Sequence, residues 1–147
     1  TILNKRGAYR TAYRGFDPVR VARFTSRKRE QLLANAAIVR NRLKIESSVT
    51  NARAYLEIQR EFGSFADFLW GFVGGKPIAG RRKSYRDLPT ETAQSRALSR
   101  ELKRRGFRFV GPTIVYAYMQ AVGMVNDHEM DCFRHPVIAA KDARFPC

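Results

Sequence analysis

Apolar residues recur at helical spacing along most of the chain, and that pattern excludes sandwiches, barrels and doubly wound sheets. Ile38, Ile45, Val49, Ala52 and Leu56 follow one another at steps of three, four and seven, which predicts a long helix ending near Gly63. Ser64 with Asp67 forms a capping-box pattern, and Phe65, Phe68, Leu69, Phe72 and Val73 make the apolar face behind it. Upstream, Asp17-Pro18 starts a short helix through Phe24, and Thr25 caps a helix carrying Leu32 and Leu33. Thr92 opens a further helix with Ala93, Ala97, Leu98 and Leu102 inward and Gly106 as its stop. A hairpin over 106–113 then leads to an apolar helix from Ile114 to Val122, closed by Gly123. Sustained alternation and Asn-Gly or Asp-Gly turns are missing, so the fold class is all-α. The expectation is one helical domain over residues 1–135, followed by an irregular tail over 136–147.

A chain of 147 residues with 44% hydrophobic residues can bury a core and suits one domain. No apolar run reaches the ~18 residues of a membrane span, and no charged-then-apolar leader opens the sequence. Two cysteines are too few for a disulfide scaffold. These features together predict a cytoplasmic chain without membrane contact; a monomer is the expectation, although no sequence feature reads out the oligomeric state.

Charge narrows the function. Lys and Arg total 28 against 13 Asp and Glu, a net charge of +15, which attracts polyanions. The excess is clustered. Residues 1–29 carry Lys5, Arg6, Arg10, Arg14, Arg20, Arg23, Arg27, Lys28 and Arg29 against Asp17 alone. Residues 96–108 carry Arg96, Arg100, Lys103, Arg104, Arg105 and Arg108 against Glu101, and Arg81, Arg82, Lys83 and Arg86 crowd a loop. Clustering favours a binding face over a uniformly basic coat.

The hairpin is the strongest local candidate for that face. Gly111 lets a phosphate approach the backbone, and the following helix offers unpaired N–H groups and a partial positive charge. Lys103, Arg105 and Arg108 would add side-chain charge around Gly106, Gly111 and Thr113. An ordinary helix–helix turn would use a glycine in the same place.

Three sets of residues make the sequence recognisable. The first is Phe16-Asp17-Pro18, residues Ile38 to Ile45 and Asn51-Ala52-Arg53-Ala54-Tyr55-Leu56. The second is Gly63-Ser64-Phe65, Phe68-Leu69-Trp70 and Ala97-Leu98-Ser99. The third is the unbroken run Lys103 to Ile114, then Met119-Gln120-Ala121 and Val125-Asn126-Asp127-His128. Over residues 1 to about 135 the chain resembles the 3-methyladenine DNA glycosylase I family of the helix-hairpin-helix glycosylase superfamily. The resemblance implies base-excision repair: hydrolysis of the N-glycosidic bond of 3-methyladenine in double-stranded DNA carrying alkylated purines. The damaged nucleotide would be flipped into an aromatic pocket. Alkylation makes the purine cationic and a good leaving group, so selective binding matters more than a strong acid.

Set against the superfamily pattern, Phe109 stands where the first hairpin glycine is usual. Thr113 stands where bifunctional relatives place a lysine nucleophile, which implies hydrolysis without lyase activity. Asn126 occupies the place of a catalytic aspartate, with Asp127 adjacent but not assigned that role. The resemblance also sets Thr1 inside the family's second helix. The pocket tryptophans and tyrosine, the catalytic glutamate and two zinc ligands would then lie upstream, and no catalytic residue is expected within this chain. A catalytically incomplete DNA-binding module is the alternative.

His128 and Cys132, four apart, would share a helix face and could both reach a zinc ion. The resemblance makes them half of a structural zinc site; the same spacing also suits two unrelated core or surface residues. His135 and Cys147 are a second possible pair of ligands. Phe68, Trp70 and Phe72 read as core rather than a base-stacking platform. Tyr116 and Tyr118 suit either the base pocket or the interior, and Glu46, Glu57 and Glu61 read as exposed ion-pair partners.

Overall fold

The structure is a computed structural model that describes residues 2–139. It is helical apart from one short strand pair, and its contacts gather into two compact units. The first comprises the described part of Thr1–Gly63 with Arg104–Phe109, the second Ser64–Lys103 with the described part of Val110–Cys147.

In the first unit, α1 (Arg6–Ala12), α2 (Pro18–Ala22), α3 (Ser26–Ala34) and α4 (Arg42–Phe62) succeed one another. Asp17 caps α2 by accepting from the N–H groups of Val19 and Arg20, with Pro18 in the first turn. Thr25 accepts from Lys28 N–H and so starts α3. The long helix begins later than the periodicity predicts, because Asn41 accepts from Lys44 N–H and fixes the start at Arg42. Ile38 therefore lies in the preceding loop, yet it is only 2% exposed and joins the core of Val21, Phe24, Leu32, Ile45 and Val49. Each such fully buried aliphatic side chain contributes about 1.5–3 kcal/mol.

In the second unit, α5 (Phe65–Gly71) is followed by β1 (Ile78–Ala79), α6 (Ala93–Arg104), α7 (Pro112–Ala121), β2 (Val125–Asn126) and α8 (Arg134–Ala139). Ser64 caps α5 through Asp67 N–H, but the Asp67 carboxylate takes the Ser64 hydroxyl instead of completing a box. A full capping box closes at Ser84 and Asp87 around the single turn Tyr85–Asp87. Thr92 Oγ1 accepts from Ser95 N–H, so α6 starts where expected. Ser95, Leu98, Ser99 and Leu102 face inward, while Arg96, Arg100 and Lys103 face solvent. Gly106, at φ +92, takes the left-handed conformation that stops α6.

Two expectations are corrected here. The parallel pairs Ile78 with Val125 and Ala79 with Asn126 escape sequence reading, because two-residue strands cannot show alternation. Of the tail expected to be irregular over 136–147, residues 136–139 belong to α8; positions beyond 139 lie outside the described residues. Among the described residues no helix is long and apolar enough to cross a membrane.

Candidate nucleic-acid interface

Residues 103–113 split between the two units, and each share has its own anchoring. Within the first unit, Arg105 is 14% exposed, and its two terminal nitrogens hold the Glu61 carboxylate at 2.5 and 2.9 Å. Its guanidinium also lies 5.0 Å from the Phe62 ring centroid. Glu61 thus makes an ion pair, as the sequence suggests, but it uses up the fork of one cation read as DNA-binding. Arg108 differs: its side chain is exposed and makes no ion pair among the described residues. Its backbone is held by the Asn51 carboxamide, whose oxygen accepts Arg108 N–H at 2.8 Å and whose nitrogen donates to Arg108 C=O at 3.0 Å.

Phe109 follows at φ +58 and is 48% exposed. A left-handed conformation costs a phenylalanine about 1 kcal/mol and a glycine almost nothing. The Lys44 ammonium stands 6.0 Å from the Phe109 ring centroid.

In the second unit, Lys103 is exposed in the last turn of α6. Gly111 is the N-cap of α7 at φ −62 and ψ 156, with Pro112 in the first turn. A Cβ built on Gly111 would meet nothing within 4 Å, so neither backbone conformation nor internal packing demands glycine there. No side chain caps α7, and Thr113 and Ile114 are exposed at its start. Ser99 Oγ donates to Val110 C=O at 2.6 Å, which ties α6 to the start of this segment.

Other basic and aromatic residues prove structural. Asp127 is buried, accepts from Arg82 Nε at 3.3 Å and Gln120 Nε2 at 3.0 Å, and takes the Tyr116 hydroxyl. Burial first, and then the Asp127 carboxylate, push the Tyr116 phenol up to about 12. Gly80 is required by close approach: a Cβ there would lie 2.5 Å from Asp127 Oδ1 and 2.9 Å from Asn126 O. Asn126 is 1% exposed, donates to His135 C=O at 2.9 Å and accepts from His128 N–H at 3.4 Å. Arg82 and Tyr116 are thus committed to a packed network, and Asn126 to a backbone-anchored turn. Phe68 is buried with Phe72 edge-on at 5.4 Å, as expected of core.

His128 and Cys132 do come together, with Nδ1 and Sγ 3.7 Å apart, although they sit in a turn rather than on a helix. Two neighbouring corners of a tetrahedral zinc site are about 3.5 Å apart given usual Zn–S and Zn–N lengths. Their geometry therefore fits two ligands. Among the described residues no group of three or more His, Cys, Asp or Glu is arranged to hold a metal. His135 Nε2 instead lies 3.0 Å from Gly80 O, and Cys147 is outside the described residues.

A sequence model of the methyladenine glycosylase family matches residues 1–135. DNA-3-methyladenine glycosylase 1 of Escherichia coli (strain K12) is 45% identical over 136 residues, covering 92% of this chain and 73% of the relative. The crystal structure of a 3-methyladenine DNA glycosylase I superposes with a TM-score of 0.87 at 47% identity, over 92% of this chain and 74% of that one. A 3-methyladenine DNA glycosylase I in complex with 3-methyladenine gives 0.88 at 37% identity, over 92% and 73%. The chain belongs to the methyladenine glycosylase family.

Proposed function

We propose that the chain is a DNA glycosylase that hydrolyses the N-glycosidic bond of 3-methyladenine in alkylated double-stranded DNA and leaves an abasic site. The observation that carries this reading is the family match over residues 1–135. Relatives named for 3-methyladenine add the substrate. In the first unit Arg108 holds a duplex phosphate, with Arg105 and Gly106 shaping the chain before it; in the second, Lys103 and the start of α7 at Gly111–Thr113 do the same. The damaged base leaves the stack to reach the enzyme. The protein acts as a cytoplasmic monomer drawn to DNA by its charge of +15.

Thr113 has no amine, so no Schiff base forms there and the strand stays intact after base release. Borohydride added during turnover on methylated duplex checks this. No covalent protein–DNA adduct is expected, and a trapped adduct overturns the assignment.

A second reading is a duplex-binding module without hydrolysis, in which several carboxylates serve the fold. Asp17 and Asp87 serve as caps, Glu30, Glu61, Glu91 and Asp127 pair with arginines, and Glu129 accepts Tyr85 N–H. Duplex binding without base release is the outcome that selects this reading.

His128 and Cys132 supply two ligands of a structural zinc, whose chemistry is to cross-link chain segments rather than to react. Metal analysis of native-length protein should find about one zinc per chain, lost in Cys132→Ala. Full retention in that variant assigns the metal to other residues.

A further inference from the structure

We propose that Asn51 is a positioning residue for duplex binding: its carboxamide brackets the backbone of Arg108 and presents the Arg108–Phe109 tip to the nucleic acid. The inference rests on the reading that residues 103–113 hold duplex phosphates. Lys44, Asn51 and Phe62 are separated by seven and eleven residues on α4, steps that return an α-helix to the same face. That face meets successive residues of the 104–109 segment: Phe62 packs with Arg105, Asn51 holds Arg108, and Lys44 lies over Phe109. All of these contacts lie within the first unit.

The residue type matters. The Arg108 N–H and C=O need both an acceptor and a donor, and only a primary amide side chain offers a fixed, neutral pair at once. The bonds of 2.8 and 3.0 Å use the Arg108 backbone alone, so its exposed guanidinium is left for a phosphate. The next residue, Phe109, is held at φ +58, a conformation that a non-glycine residue keeps only where its surroundings enforce it. Asn51 itself has no charge with which to attract DNA, so it acts through Arg108.

A double-mutant cycle on the 147-residue chain tests this, using duplex affinity over a range of salt and thermal melting. Asn51→Ala should weaken duplex binding about fivefold with little change in melting, and lower the salt slope as Arg108→Ala does. In the Arg108→Ala background it should have no further effect. Asn51→Asp, equal in shape but without the donor, guards against a folding defect and should weaken binding at least as much. Wild-type affinity in Asn51→Ala, or the same loss in both backgrounds, overturns the proposal. Failure of Arg108→Ala itself to weaken binding overturns instead the reading on which the proposal rests.

Discussion

Asp127→Ala should cost the fold about 3 kcal/mol, the lower end of the range for removing one partner of a buried ion pair. The Asp127 side chain is 5% exposed and Arg82 is 30% exposed, so the guanidinium left behind keeps some water but loses its only ion pair among the described residues. The Tyr116 hydroxyl and Gln120 amide lose their acceptor in the same step. For a chain of this size the loss lowers the melting temperature by about 10 °C. The network also sets an alkaline limit. The Tyr116 phenol is pushed up to about 12, so the folded form holds that proton more tightly than the unfolded chain, whose tyrosines titrate near 10. Its contribution is fully present below pH ~10 and is lost as pH rises through ~12. Tyr116→Phe should flatten that part of the stability curve, and tyrosinate absorbance should show a phenol titrating near pH 12 that is missing from Tyr116→Phe. A stability curve unchanged by Tyr116→Phe, or an Asp127→Ala protein as stable as the parent, would show that the network holds nothing in place.

The second large effect separates two arginines that the sequence presents as equivalents. Arg108→Ala should reduce the salt slope of duplex binding by about one unit and weaken binding several-fold at physiological salt, because it removes an exposed cation from a phosphate. Arg105→Ala should leave the slope nearly unchanged and instead lower stability by about 1–2 kcal/mol, because its fork is engaged by Glu61 and stacked on Phe62. Titration of each variant with the same duplex at three salt concentrations, alongside thermal melting, distinguishes the two roles. Equal slope reductions in both would assign Arg105 to the phosphate-binding set after all.

The contrast between these residues shows where sequence reading runs out. Helices α2, α3 and α6 were legible because Asp17, Thr25 and Thr92 announce their starts locally, and inward faces such as Leu98 and Leu102 obey the helical period. The period alone extends α4 back to Ile38, which keeps the hydrophobic spacing while belonging to a loop; Asn41, a good N-cap residue, marks the actual start. Pro136 was a comparable signal for α8, since proline is tolerated in a first turn. Neither the Arg105–Glu61 pair, 44 residues apart, nor the Asn51 bracket on Arg108, 57 apart, leaves a local trace. Gly80 reads as a chain breaker, and only the packing of Asp127 against it shows why a side chain is excluded. The turn carrying His128 and Cys132 keeps the predicted proximity with a different backbone, because four-residue spacing closes in a tight turn as well as on a helix.

The most direct test of the proposed chemistry is to follow free 3-methyladenine released from methylated duplex DNA by protein containing these 147 residues, with Arg108→Ala beside it. Release of the free base, an abasic site in an unbroken strand, and a higher DNA requirement for Arg108→Ala are expected together; release by the 147 residues alone would overturn the expectation that they hold no catalytic residue. Duplex binding with no base released would refute hydrolysis and leave the binding module as the function.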